Sequence, residues 1–348
     1  QQFGFVKNSA ADLATVPKGL AGITKAHSAV NATPWAFISL ALAMMMGTAS
    51  LPHVMMRYFT TPSVKAARKS VGWSLFFIFL LYSSAPMLAT LSKLSLMDPN
   101  LSTGIIGKSI ADVQAIDWYQ NWNAANLMFV SDFNGNGTLE LNEFFMGGKA
   151  VVLATPEIAG LPYVISGLVA AGGMAAAMST ADGLVLAIAN ALSHDLYYKI
   201  IDPKAETAKR LIVARVLLVI IGFAGATIAA MKIQGILGSV IWAFDFAMSG
   251  LFFPLVLGVW WKRANSQGAV AGMLLGLLSG TAYLIWVRNG GAGFWGVTQL
   301  TFGIVGSAVS LVSMVVVSLM TKEPDAKTMA MVDEVRIPSG KTVLGRQH

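Results

Sequence analysis

Seven long apolar runs restrict the fold of this 348-residue chain more than any other feature of its sequence. Each run is long enough to cross about 30 Å of hydrocarbon at about 1.5 Å of rise per residue. The runs are Trp35–Tyr58, Val71–Leu91, Leu161–Leu192, Leu211–Met231, Ile236–Trp261, Ala269–Val287 and Val297–Met320. Because lipid cannot satisfy exposed backbone hydrogen-bonding groups, the runs predict helices. The predicted fold class is therefore an all-α, polytopic membrane protein with about seven transmembrane helices.

Charged residues are scarce and lie mainly between the apolar runs. They make up 12% of the chain, whereas an ordinary soluble domain has about a quarter. The chain carries 24 Lys and Arg against 17 Asp and Glu. Such an excess of basic residues can indicate nucleic-acid binding. Here the basic residues stand at the ends of predicted helices, where they orient a membrane protein. We therefore predict a lipid bilayer as the partner, no nucleic acid, and a multi-pass location in the cell (inner) membrane.

The distribution of Lys and Arg also predicts the orientation of the helices. One set of turns, including 57–69, 199–210 and 262–263, is rich in basic residues and is predicted to be cytoplasmic. This arrangement makes residues 1–34 an extracytoplasmic segment and residues 35–320 the transmembrane domain, with an extracytoplasmic loop at 98–160. Residues 321–348 become a cytoplasmic tail, which we expect to be largely disordered. Residue 1 is Gln, and we expect the chain to be a fragment.

A stretch of small residues with an internal proline closes the first apolar run. It reads Gly47-Thr-Ala-Ser-Leu-Pro-His53, and its proline predicts an interruption of the helix. Broken helices in transporters free backbone groups to face a substrate or an ion. Small residues with a proline also allow simple close packing of helices. The residues alone leave both alternatives open.

The third apolar run carries a stripe of residues with accessible oxygen atoms. Ala176, Ser179 and Thr180 stand at positions i, i+3 and i+4, which a helix places on one face. Hydroxyl and carbonyl oxygens suit a monovalent cation, although Ser and Thr also form hydrogen bonds between packed helices. Asp182 follows the stripe, and Asp245 lies in the fifth run. A carboxylate within a membrane is costly unless it is paired or coordinating, so Asp182 is predicted to join an ion site or accept a proton.

Residues 132–143 fit the pattern of a calcium-binding EF-hand loop, D-x-[DN]-x-[DN]-G-x5-E. Gly137 occupies the tight turn of the pattern, and Leu139 suits its short strand. An Asn- and Gly-rich surface turn can show the same pattern by chance. Two Asn in place of Asp lower the charge, so we predict a weak, structural Ca²⁺ site. Its predicted ligands are Asp132, Asn134, Asn136, Thr138, Glu140 and Glu143.

No motif in the sequence indicates an enzyme. There is no Walker loop, no G-x-S-x-G and no H-E-x-x-H. The chain has no Cys, which excludes a cysteine nucleophile and a thiolate metal site. We therefore predict that the protein is not an enzyme.

Three parts of the sequence resemble the sodium:solute symporter family, most closely its acetate-permease-like (cation/acetate symporter) branch. The resemblance runs from about Pro34 to Met320. It is carried by Gly47-Thr-Ala-Ser-Leu-Pro-His-Val-Met-Met-Arg-Tyr-Phe59 with Ala66-Ala-Arg-Lys-Ser70, by Ala175-Ala-Ala-Met-Ser-Thr-Ala-Asp-Gly183 with Ser193-His-Asp-Leu-Tyr-Tyr198, and by Trp260-Trp-Lys-Arg-Ala-Asn-Ser-Gln-Gly-Ala269.

The resemblance implies an inverted-repeat (LeuT-like) transporter fold, of which this chain holds the second half only. The family's sodium site then falls on the Ala176 carbonyl and the hydroxyls of Ser179 and Thr180, with Asp182 beside them. The remaining ion ligands belong to a first core helix that no residue here matches. A missing N-terminal half of the same transporter is therefore an expected partner.

The function that this resemblance implies is symport of a small, acetate-like monocarboxylate driven by a Na⁺ gradient. Na⁺ is the coupling ion, and the small organic anion would bind where helix ends and backbone N–H groups can meet it. The residues expected to do so are Gly47, Thr48, Ala49, Ser50 and Leu51. Three alternatives stay open: a transporter-like membrane sensor or receptor for a small ligand, a symporter of another solute such as proline or a sugar, and coupling to H⁺.

Overall fold

The computed structural model of the protein describes residues 34–336, except 99, 142, 148, 149, 232 and 234. The predicted extracytoplasmic segment, apart from residue 34, and the last twelve residues of the predicted tail lie outside the described residues. The chain divides into two compact units. Within the described residues, the first unit comprises 71–179, and the second comprises 34–70 and 180–336.

Six helical segments within the described residues are long and apolar enough to cross a membrane. They are Val64–Met97, Tyr163–Ile201, Thr207–Ala230, Ile236–Trp260, Ser266–Arg288 and Gly303–Met320. The first predicted run instead forms a shorter apolar helix, α1 (Pro34–Ser50), followed by α2 (Pro52–Met55) and a 3₁₀ turn at Met56–Thr60. The predicted class of a helical, polytopic membrane protein is confirmed, and its first run is a broken helix.

A small folded region lies between the second and third apolar runs, in the segment predicted to be an extracytoplasmic loop. Helix α3 (Val64–Met97), which continues through Pro86, leads into it. Its elements are α4 (Ile110–Gln114), α5 (Asp117–Ala124), β1 (Met128–Val130), β2 (Phe144–Met146) and α6 (Val151–Ile158). The strands are antiparallel, with Phe129 opposite Phe145. Buried side chains including Ile105, Val113 and Met128 give the region a hydrophobic core of its own.

The remaining helices carry most of the apolar surface. Helix α7 (Tyr163–Asn190) continues into a π-helical segment, Ala191–Ile201, and α8 (Thr207–Ala230) follows. Helix α9 (Ile236–Ala247) passes through a π-helical turn, Met248–Phe252, into α10 (Phe253–Trp260). Helices α11 (Ser266–Arg288), α12 (Gly303–Met320) and α13 (Ala326–Arg336) complete the described chain. Pro254 lies in the first turn of α10, where a proline costs no helical hydrogen bond.

Helices α11 and α12 form the closest helix pair of the second unit because small residues face each other. Four glycines of α11 recur every fourth residue, at 268, 272, 276 and 280, and all are buried. A Cβ atom at Gly272 would lie 3.0 Å from the Met314 Cβ and 3.1 Å from the Ser310 carbonyl oxygen. Such spacing lets two backbones approach without a hydrophobic driving force, which lipid does not supply.

The tail differs from the expectation of general disorder. Residues Ala326–Arg336 form α13, and the segment before it is tied to the end of α10 and the start of α11. The Arg263 Nη2 donates to the Thr321 carbonyl oxygen at 2.7 Å, and the Lys262 Nζ lies 2.8 Å from the Asp333 Oδ2. The prediction of disorder was wrong for 326–336 because it weighed composition alone and not these contacts with the preceding helices.

Candidate functional site: a broken helix and a stripe of oxygen atoms

The break in the first apolar run lies at Leu51. This residue has an extended backbone, with φ −71° and ψ 119°, so α1 ends before it and α2 begins after it at Pro52. Each helix end leaves backbone groups without intrahelical partners. The break thus lies at the end of the predicted substrate-binding segment, and the Leu51 carbonyl oxygen accepts the N–H groups of Val54 and Met55 at 3.1 and 3.3 Å.

Gly47 holds this broken helix against α9. A Cβ atom at Gly47 would lie 2.6 Å from the Phe244 Cβ and 2.7 Å from the Phe244 carbonyl oxygen. No side chain fits in this space, so glycine permits the contact between α1 and α9. Gly47 therefore has the close-packing role that was one of the two alternatives for this segment. The residue that it meets on α9, Phe244, directly precedes Asp245.

The hydroxyl groups of the same segment are engaged locally. The Ser50 Oγ is buried and donates to the Met46 carbonyl oxygen at 2.8 Å. The Thr48 Oγ1 donates to the Met44 carbonyl oxygen at 2.6 Å and remains exposed. Ala49 is exposed and Leu51 is buried. The groups of this segment best suited to a ligand are therefore backbone groups at the break, since both hydroxyls already have acceptors.

The predicted ion ligands lie in one uninterrupted helix. Ala176, Ser179, Thr180 and Asp182 all fall within α7, so the i, i+3, i+4 stripe predicted from the sequence exists as a helical face. All four residues are exposed. The stripe therefore lies on an exposed face of α7 within the described residues.

The second unit places the end of this stripe beside the broken helix. A Cβ atom at Gly183 would lie 3.8 Å from the His53 Cβ and 3.9 Å from the Arg57 Nη2. The His53 Nδ1 is buried and makes no hydrogen bond to the described residues. The sequence predicted that Arg57 lies in a cytoplasmic turn, but it did not predict that His53 and Arg57 lie near α7. In the sequence, the glycine directly after Asp182 was the one signal that another segment could lie close to α7.

Asp245 is fully buried on α9 and faces the first residues of α12. A Cβ atom at Gly303 would lie 2.7 Å from the Asp245 Oδ1. The backbone N–H groups of Gly303 and Phe302 face the carboxyl group. Neither carboxyl oxygen makes a hydrogen bond of normal geometry within the described chain. The sequence identified this acid, but it could not show that the acid lacks a partner.

The predicted calcium ligands lie together in one loop that hydrogen bonds to itself. Asp132 accepts the Gly135 and Gly137 N–H groups at 2.7 and 2.9 Å. Both glycines have φ of 71°, a value that favours glycine. The Glu143 Oε1 and Oε2 accept the N–H groups of Phe133 and Glu140, each at 2.9 Å.

The carboxyl oxygens of this loop are thus largely occupied by internal donors. The Glu140 Oε1 accepts from the side-chain amides of Asn134 and Asn136 at 3.0 Å each. The Thr138 N–H donates to the Asn136 Oδ1 at 2.7 Å. Among the described residues, no group of three or more His, Cys, Asp or Glu side chains is arranged to hold a metal ion. The loop has the turn of an EF-hand, and its carboxylates do not converge on one point.

The described residues thus form a helical, multi-pass membrane protein with a broken helix and an oxygen-bearing helical face. Residues 149–276 match the model of the sodium:solute symporter family. This segment contains the whole of α7, including the stripe, and all of α9. The chain therefore carries a segment of the sodium:solute symporter family, and the resemblance predicted from its sequence is confirmed.

Two curated relatives extend the match beyond that segment. An uncharacterized symporter from Cupriavidus necator is 41% identical over 295 residues, which cover 82% of this chain and 42% of the relative. A monocarboxylic acid transporter from Corynebacterium glutamicum is 28% identical over 255 residues, which cover 73% of this chain and 39% of the relative. The chain thus spans about two fifths of the length of the relatives it matches.

Proposed function

We propose that this chain forms part of a secondary active symporter that carries a small monocarboxylate, such as acetate, together with Na⁺ across the cell (inner) membrane. The match of residues 149–276 to the sodium:solute symporter family is the observation that carries this proposal. Similarity to a monocarboxylic acid transporter supports the substrate class. The chain acts as the C-terminal part of the transporter, and an N-terminal half supplies the remaining ion ligands.

The coupling ion binds to the stripe on α7 in this proposal. The Ala176 carbonyl and the hydroxyls of Ser179 and Thr180 are the ligands, with the Asp182 carboxylate adding charge nearby. The exposure of all four residues supports this role, because an ion that loses its hydration water needs oxygen atoms that it can reach.

The monocarboxylate binds at the helix break in this proposal. Its proposed site is the segment Gly47–Leu51, where the extended backbone of Leu51 interrupts the helix. Coupling requires only that ion and substrate favour the same conformation. The proximity of His53 and Arg57 to Gly183 supports this coupling, because it places α7 near the segment that follows the helix break.

Uptake by proteoliposomes containing the full-length protein tests this function. We expect an inward Na⁺ gradient to raise the initial rate of labelled acetate uptake roughly 5-fold to 100-fold, the usual range of coupling between two ligands. Propionate and pyruvate should compete with acetate, whereas proline and glucose should not. Binding of acetate without Na⁺-dependent uptake would contradict symport and favour a sensor.

A structural Ca²⁺ site in the 132–143 loop is a separate part of the proposal. The buried Glu143 and the turn glycines support a loop of the right length and shape. Binding would require Glu143 and Glu140 to exchange their internal donors for the ion. Calorimetric titration of Ca²⁺ into the purified protein should give one weak site, which Asp132→Ala removes and which Asp112→Ala, on exposed α4, leaves intact. No heat of binding in the wild type would refute this site.

A further inference from the structure

The carboxyl group of Asp245 is buried without a compensating partner. Asp245 is 0% exposed. Neither of its carboxyl oxygens makes a hydrogen bond in the part of the chain that the structure describes. A buried carboxylate without a partner is strongly destabilised by the loss of hydration, whereas the neutral acid avoids most of this cost. The group therefore needs either a positive charge nearby or a proton.

The elements packed against α9 supply no such charge. Those elements are α1, the π-helical turn at Met248–Phe252, α11 and α12. Arg288 is the single charged side chain among them, and its guanidinium lies over the Trp242 ring, 5.3 Å from the centroid. Tyr283 is the other titratable group, and its hydroxyl donates to the Val297 carbonyl oxygen at 3.1 Å. Neither group neutralises Asp245.

Building on the proposed function, we propose that Asp245 is a proton-binding site of the symporter, neutral while α9 and α12 are packed together and deprotonated when they separate. The proton passes from water to a carboxyl oxygen and later returns to water on the other side of the membrane. No other reactant is needed. The proton adds to the charge that the coupling ion moves, so uptake depends on the pH gradient as well as on Na⁺.

The surroundings of Asp245 combine close packing with irregular backbone. The contact with α12 depends on Gly303, because a side chain there would meet the Asp245 Oδ1 and its Cα atom within 2.8 Å. Directly after α9, the backbone becomes π-helical at Met248–Phe252. There the Ser249 Oγ donates to the Asp245 carbonyl oxygen at 2.7 Å. Short π-helical turns inside α-helices are frequent at functional sites, where the backbone can change its hydrogen bonding.

Infrared spectroscopy tests the protonation directly. We expect the full-length wild-type protein at neutral pH to show the carbonyl band of a protonated carboxylic acid. The band should shift when aspartate is labelled with ¹³C at its carboxyl group, and it should disappear in Asp245→Asn but persist in Asp333→Asn, which removes an exposed carboxylate. Absence of the band from the wild type would overturn the proposal without relying on any variant.

Transport measurements test whether this proton is coupled. With the Na⁺ gradient held constant, uptake by the wild type should rise by up to about tenfold per unit of imposed pH gradient, the limit for one titrating group. Asp333→Asn should behave like the wild type, and Asp245→Asn should change by less than about twofold over the same gradient. If Asp245→Asn keeps the wild-type dependence on pH, the proton site is refuted while symport stands. If the wild type shows no Na⁺-dependent uptake, symport itself fails, and the infrared result still decides whether Asp245 holds a proton.

Discussion

At the scale of single residues, the structure distinguishes two buried acids by their hydrogen-bond partners. Glu143 and Asp245 are both fully buried. Glu143 satisfies both oxygens with backbone N–H groups, whereas Asp245 has no such donor in hydrogen-bonding geometry. A satisfied acid stabilises its surroundings, and an unsatisfied one is poised to change its protonation.

Replacing Glu143 should therefore loosen the small folded region. Glu143→Ala leaves the N–H groups of Phe133 and Glu140 without acceptors, which should lower the local stability by roughly 2 kcal/mol. Amide hydrogen exchange across 127–147 measures this change, and Asp112→Ala, an exposed acid in the same region, is the matched control. Unchanged exchange in Glu143→Ala would show that these hydrogen bonds do not hold the region together.

The sequence identified these residues by type but not by environment. The pattern of an EF-hand loop places Glu143 at its last position, yet only the fold shows that its oxygens meet two backbone N–H groups. Asp245 stands out as an acid in an apolar run, but its burial depends on α12, which begins 58 residues later in the chain. Contacts of this kind follow from packing between distant segments, which periodicity and spacing do not encode.

At the scale of elements, small residues decide how closely the helices of the second unit approach. The repeated glycines of α11 face Ser310, Met314 and other buried residues of α12. At Gly276 a Cβ atom would collide with the Ser249 carbonyl oxygen and lie 2.7 Å from the Ser310 Cβ. Gly276 therefore permits the close contact of α11 with α12 and also its contact with the π-helical turn after α9.

Gly276→Ala should thus destabilise the second unit by about 1–3 kcal/mol, the usual cost of overpacking. Gly222→Ala on α8 is the control, because nothing lies within 4 Å of the added methyl group. Unfolding of the purified protein in mild detergent, followed as a function of denaturant, compares the two. Equal stability of the two variants would refute close packing at Gly276.

The tail helix should respond to acid through its first turn. Asp325 precedes α13 and accepts from the hydroxyl and the backbone N–H of Thr328, which hold the pKa of Asp325 below its ordinary value of 3.8. Because the folded pKa is depressed, this stabilisation is present above 3.8 and is lost as pH falls through the lower folded value. Hydrogen exchange of 326–331 should accelerate over that range.

Asp325→Asn separates this effect from general acid unfolding. Asn also caps helices but does not titrate, so exchange in this variant should be nearly independent of pH across the same range, after correction for the intrinsic rate. If the wild type and Asp325→Asn respond equally to acid, the cap is not the group that titrates.

The sequence predicted the elements more fully than their ends. Pro52 correctly indicated an interruption of the first run, and six of the seven runs form long helices within the described residues. Pro86 leaves α3 continuous, because lipid and neighbouring turns favour helix over exposed backbone groups. The β1–β2 pair and α13 were missed, since each depends on contacts with distant residues and carries little periodic signal.

At the scale of the whole molecule, the proposed symport requires a defined orientation of the helices in the membrane and coupling between Na⁺ and the substrate. The basic residues between the apolar runs predict that Lys65 faces the cytoplasm and Lys108 the opposite side. Both side chains are exposed, so each position is open to a reagent from its own side.

Single-cysteine labelling tests this orientation, because these 348 residues contain no cysteine and any cysteine elsewhere in the full-length protein can first be replaced by serine. In intact cells, an impermeant maleimide should label Lys108→Cys and should reach Lys65→Cys only after the membrane is permeabilised. Labelling of Lys65→Cys in intact cells would reverse the predicted topology and place the tail outside.

The dependence of uptake on Na⁺ concentration tests the central claim, that the coupling ion binds to the α7 stripe, most directly. Ser179→Ala and Thr180→Ala in the full-length protein should each raise the Na⁺ concentration for half-maximal acetate uptake roughly tenfold, equivalent to about 1.4 kcal/mol of lost binding. Thr227→Ala is the matched control, because the Thr227 hydroxyl is exposed and donates to its own helix at the Phe223 carbonyl oxygen. Wild-type Na⁺ dependence in both stripe variants would contradict the account.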